Sequence, residues 1–83
     1  MRKENYLKVK HYVKSLCLDS VNELCNKIGL TEQEIDLMQR INRGDMRVCI
    51  GLEMGMCESA VSKNCHKVFT KIKDYLIKNN IDF

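Results

Sequence analysis

Five cysteines and two histidines are the residues of this chain best equipped for metal, redox or nucleophilic chemistry. Cys17, Cys25, Cys49, Cys57 and Cys65 are separated by multiples of eight residues, and no C-x-x-C pair occurs. Zinc needs ligands in tighter pairs, and Cys65-His66 has no partner at finger-like distance. An odd count without a visible secretion signal argues against a disulfide framework and for a reducing cytoplasm. Eight residues is close to two helical turns, so the cysteines read as small core residues on helices. Cys57 stands apart because it falls at an expected helix N-terminus, where a thiolate is favoured; it reads as an inert small side chain in the turn, with a redox switch as the alternative. His11 and His66 fall on different expected helices, and no nucleophile–base pair stands at a recognisable spacing. The expectation is no enzyme, no metal site and no cofactor.

The other chemistry on offer is electrostatic. The net charge is only +3, too little to argue for nucleic acid, so the distribution has to carry the case. Residues 30–56 hold three basic and five acidic side chains, whereas 59–73 hold Lys63, Lys67, Lys71 and Lys73 and no acid. On a helix, Ser59, Ser62, Lys63, His66, Lys67 and Thr70 recur at three- and four-residue steps, opposite Val61, Cys65 and Val68. Such a face is suited to a DNA groove. Ser59, Ser62 and Lys63 are the candidates for base edges, since lysine reaches guanine and serine is permissive. His66 and Lys67 can serve bases or phosphates. Arg43, Arg47, Thr70 and Lys71 are read as phosphate contacts that set register. Asn64 lies between the two faces. The plainer reading of the same lysines is a solvated helix surface.

Placing these groups requires helices. The chain has no proline and four glycines in 83 residues, which points to a single small all-α domain. Tyr6, Val9, Val13 and Leu16 mark a first helix over 3–17. That helix is basic and amphipathic, as membrane-surface helices are, but its apolar stripe is narrow and suits packing on the domain. Asp19 or Ser20 is placed to cap a second helix reaching about Lys27, with Val21, Leu24, Cys25 and Ile28 inward and Gly29 as its stop. Thr31 and Glu34 form a capping box, and Leu30 and Ile35 are spaced as a hydrophobic staple. The third helix then runs from Glu32 to about Arg43, with Ile35, Met38 and Ile41 inward and Gly44 at its end. Asp45 is expected to cap a fourth helix, Met46 to Met54. A fifth runs from about Glu58 towards Lys78. Its apolar residues Ile72, Tyr75, Leu76 and Ile77, then Ile81 and Phe83, continue from Val68 as a seam for the N-terminal helices or for a second copy of the chain. No apolar run approaches the length of a membrane span, and MRKENYLKVK lacks the apolar stretch of a signal peptide.

Between the fourth and fifth helices the spacing becomes specific. Gly51 stands where two helices cross closely and only Gly or Ala fits. Gly55 stands where a tight turn needs positive φ. Val61 is the apolar residue that locks the second helix on the first, with Ile50, Met54 and Met56 completing the inward contacts. Together they describe a helix-turn-helix whose second helix keeps an outer face free.

LTEQEIDLMQRINRG, IGLEMGMCESAV and VFTKI resemble two related families: region 4 of bacterial sigma-70 factors and the DNA-binding output domain of LuxR-type response regulators. The matching positions are Leu30, Thr31, Glu34, Gly44, Ile50, Gly51, Val61, Lys71 and Ile72. The resemblance covers residues 30–76, and residues 1–29 match neither family. It departs at Cys57, where Ser or Thr usually caps the recognition helix, and at Asn64, where LuxR-type domains often carry histidine. The resemblance implies a DNA-binding transcriptional regulator that inserts the helix from about Glu58 into the major groove of double-stranded DNA. It also implies RNA polymerase as a partner. There is no room for a promoter-melting domain, so a sigma-like protein here is region 4 with a helical extension, of the kind carried by phages and mobile elements. The competing readings are a module that binds RNA polymerase or a partner regulator, and a DNA-packaging or replication component of a mobile element. A homodimer through the C-terminal helix would double the phosphate contacts.

Overall fold

The computed structural model describes residues 3–83, and those residues form five α-helices with no strand. They are α1 (Lys3–Ser15), α2 (Leu18–Ile28), α3 (Glu32–Arg43), α4 (Arg47–Met54) and α5 (Glu58–Lys78). The all-α class and the order of elements are those expected. The first helix is shorter than 3–17, because the chain turns at Leu16 to start α2.

The inward stripes largely fall where the periodicity placed them, except on α3, where Leu37 is buried and the expected Ile35 is only half-buried. Val9 and Val13 of α1, Val21, Leu24 and Cys25 of α2, and Leu37, Met38 and Ile41 of α3 are buried. They meet Val61, Cys65, Val68, Phe69, Ile72 and Leu76 of α5, all at most 1% exposed. All four of the other helices touch α5. Phe69 is the largest fully buried side chain and takes the Tyr6 ring edge-on, with ring centroids 4.9 Å apart.

Helix ends follow two chemistries. Thr31 forms the expected box: its Oγ1 accepts from the Glu34 N–H at 3.2 Å, and Glu34 Oε1 accepts from the Thr31 N–H at 3.0 Å. Gly29, Gly44 and Gly55 end α2, α3 and α4 in the left-handed region. The other starts correct the sequence reading. The residue capping α2 is Cys17, not Asp19 or Ser20, and α4 is capped by Met46, not Asp45. Asp45 is held elsewhere: Arg43 donates to it from Nε at 3.1 Å and Nη2 at 2.5 Å. A bidentate charged pair outcompetes a single cap bond to a backbone N–H.

The C-terminal end of α1 has no glycine. Asn42 of α3 replaces it, donating from Nδ2 to the carbonyls of Val13 at 2.9 Å and Leu16 at 2.6 Å. Gln39 donates to Asn22 Oδ1 at 2.6 Å and ties α3 to α2 in the same way.

Only Cys25 and Cys65 are buried; Cys17, Cys49 and Cys57 are exposed. The reading of the cysteines as small core residues therefore holds for two of the five. Burial pushes the Cys25 thiol up to about 11 and raises that of Cys65 as well. At the start of α2, a hydrogen bond with Ser20 pulls the exposed Cys17 thiol down.

Glu34 carries two jobs at once. Besides closing the capping box, it pairs with Lys71 of α5 at 3.0 Å. The Thr31 N–H and then Lys71 hold its carboxyl below the ordinary range. A depressed carboxylate stabilises the fold above its unfolded-state pKa, and that contribution is lost as pH falls through the folded value. Glu34→Gln is expected to lower stability at pH 7 and to show a shallower loss between pH 5 and pH 3 than the parent. Urea unfolding across that range reads both effects, and parallel curves would refute the coupling.

A candidate nucleic-acid interface on the last helix

The junction between α4 and α5 is built on one close approach. A Cβ added at Gly51 would lie 2.5 Å from the Met56 carbonyl oxygen and 3.5 Å from Val61 Cγ2. The Met56 N–H in turn donates to the Gly51 carbonyl at 2.8 Å. The expectation that Gly or Ala fits at this position narrows to Gly, because the obstacle is backbone. Gly55 supplies the turn at φ 70°, where a side chain would be strained. Val61 is fully buried, as is Ile50, while Met54 and Met56 are half-buried.

The turn is followed by Cys57, whose thiol makes no capping bond, and then by the 21 residues of α5. Ser59, Lys63, His66 and Lys67 are exposed on its outer face. Among the described residues, no carboxylate pairs with Lys63 or Lys67. The remaining candidates are partly engaged. Ser62 is half-buried and accepts from Arg47 Nη1 at 2.9 Å. Thr70 donates its hydroxyl to the His66 carbonyl at 2.8 Å. Asn64 points to the turn, donating to Met56 Sδ at 3.4 Å. His66 stacks on Tyr6 of α1, with ring centroids 6.0 Å apart and planes at 24°.

The expected phosphate contacts divide. Arg47 stays beside α5 through Ser62. Arg43 is paired with Asp45 and Lys71 with Glu34, so each would have to exchange a carboxylate for a phosphate. Arg40, not singled out from sequence, joins Asp36 at 3.2 Å and also Glu53, bracing α3 against α4. Sequence spacing cannot report pairs such as Arg47–Ser62 or Tyr6–His66, because the partners lie on different helices.

The seam beyond the motif is spent inside the chain. Ile72 and Leu76 are buried, and Tyr75, Ile81 and Phe83 pack partly against the core. Ile77 alone of that set is exposed, at 58%. On α4 the situation is reversed: Met46, Val48 and Leu52 are exposed at 70%, 50% and 80%.

No family model, curated protein or solved structure matches the chain. Among the described residues, no helix is long and apolar enough to cross a membrane. Nor does any group of three His, Cys, Asp or Glu residues there offer a metal site.

The junction makes a sharp prediction. Alanine gains up to about 1 kcal/mol over glycine in helix propensity, but overpacking against backbone costs roughly 1–3 kcal/mol. Gly51→Ala is therefore expected to destabilise, read as a lower urea midpoint. A more stable variant would mean that the helices are not held this closely.

Proposed function

We propose that the chain is a DNA-binding transcriptional regulator that presents the first turns of α5 to the major groove of duplex DNA. The observation that supports this best is the outer face of α5: Lys63 and Lys67 unpaired among described carboxylates, and no acid between Ser59 and Lys73. Ser59, Lys63 and Lys67 are the side chains best placed for base edges, with His66 beside them. Ser62 is better assigned to holding Arg47, which then serves a phosphate. Arg43, Thr70 and Lys71 are further phosphate contacts in this reading. The turn at Gly51 and Gly55 is the kind of junction that sigma-region-4 and LuxR-type domains would use, and a sigma-like role would bring RNA polymerase as a partner in the cytoplasm of a bacterium. A phage or mobile element is the setting the small size suits.

The experiment is binding to labelled duplex DNA by fluorescence anisotropy across a salt series. The parent chain is expected to bind, with an affinity that falls steeply as salt rises. Lys63→Glu with Lys67→Glu is expected to weaken binding by about a hundredfold at low salt, taking one to two decades for two reversed contacts. An unchanged far-UV spectrum would show that the fold is kept. A parent that fails to bind at low salt would end the DNA reading.

One observation favours a second reading, a module that docks on RNA polymerase or a partner regulator. Val48 and Leu52 lie one turn apart on α4 with Met46 beside its start, all exposed, and exposed apolar groups gathered on one element mark protein contacts. Leu52→Glu is expected to abolish binding to purified bacterial RNA polymerase while leaving DNA binding intact. A complex that survives the substitution would remove this reading.

A further inference from the structure

Beside α5, where α1 passes the start of α4, a hollow of about 150 Å³ is lined by Tyr6, Lys10, Lys14, Asp45, Met46 and Arg47, among others. Three cations face it. Its one carboxylate, Asp45, is already bound bidentately by Arg43, so the hollow is left cationic. Among the described residues no carboxylate pairs with Lys10, Lys14 or Arg47.

Two of the residues lining the hollow also belong to the α5 face. Arg47 donates to Ser62 at 2.9 Å, and Tyr6 stacks on His66 while its edge meets Phe69. Lys10 and Arg47 also lie close enough to the Cys65 thiol to oppose the upward push of its burial. Arg47 and Tyr6 therefore link the cationic hollow to the outer face of α5. Two further hollows among the described residues differ. One is lined by the Glu34 carboxylate along with Lys67 and Lys71, and the other by Glu23 and Lys27, which pair with each other at 3.0 Å.

We infer that α1 is a second arm of the DNA surface, in which Lys10 and Lys14 join Arg47 to hold the phosphate backbone of the strand flanking α5. This rests on the DNA-binding reading. It assigns a role to residues outside the 30–76 region that carries the family resemblance. It also explains how a chain of net charge +3 would gain enough phosphate contacts: two helices far apart in sequence contribute cations to the same strand. A duplex is the occupant rather than an acidic protein because the hollow runs into a helix face of serines, lysines and a histidine suited to a groove.

The test uses the full chain and a labelled duplex across a salt series. Lys10→Gln with Lys14→Gln removes two charges from the hollow. Lys8→Gln with Lys78→Gln removes two exposed charges that do not line it. The first variant is expected to bind about tenfold more weakly at low salt, with the slope of log affinity against log salt reduced by about two. The control variant is expected to stay within about twofold of the parent. Lys14 is exposed, so Lys14→Gln alone keeps the fold and is expected to lower the slope by about one. A slope for the hollow variants equal to that of the control would overturn the inference while leaving the DNA reading standing. A parent chain that does not bind DNA would overturn both, and the two failures are separated by the parent curve.

Discussion

The burial of a single stripe on α5 governs this structure. Val61, Cys65, Val68, Phe69, Ile72 and Leu76 are each at most 1% exposed, and every other helix touches α5. The 21 residues of α5 extend roughly 30 Å at 1.5 Å per residue, long enough to serve α1, α2, α3 and α4 at different heights. The other helices are shorter, and all four of them pack against α5. One helix is thereby both the central post of the core and the owner of the outward polar face. On the outer face Lys63 and Lys67 are exposed, whereas any change on the inner stripe is felt by several helices together.

Ion pairing sorts the charges. Arg40 is taken by Asp36 and Glu53, Arg43 by Asp45, and Lys71 by Glu34. These pairs tie α3 to α4 and α5 and consume most of the acid in the middle of the chain. Among the cations without a paired carboxylate, Lys63 and Lys67 lie on the outer face of α5, and Lys10, Lys14 and Arg47 line the neighbouring hollow. A modest net charge thus becomes a local surplus. Exposed pairs of this kind add little stability, so their greater effect is on where unpaired charge remains.

Local chemistry explains which parts were legible in sequence. The Thr31–Glu34 box, the stops at Gly29, Gly44 and Gly55, and the stripes of α1 to α3 all depend on residues within a few positions of one another. Gly51 and Gly55 announced the close junction, although the obstacle at Gly51 proved to be the Met56 carbonyl, which has no side-chain signature. Residues that answer to distant partners were not legible. Asp45 looked like a cap until Arg43 claimed it, and Asn42 gave no sign that it closes α1 across 29 and 26 positions. Cys17 occupies the α2 cap position without making a cap bond, so no preference of its own marks that start, whereas Cys57 falls at the cap position where the spacing placed it. Arg47–Ser62 and Tyr6–His66, which shape the candidate surface, belong to the same class of pairings between helices.

Because the post follows the four helices it covers, order of synthesis matters. Helices α1 to α4 leave the ribosome before the stripe that completes their cover has been made. Until then they have the contacts of α1 and α2 with α3 and the Arg40–Glu53 pair between α3 and α4, without the stripe that completes their cover. Helix α1 waits longest, since Tyr6 must find Phe69 at the far end of the chain. The apolar stripes of α1 to α4 therefore stay partly open until α5 has been made, and its docking completes their cover.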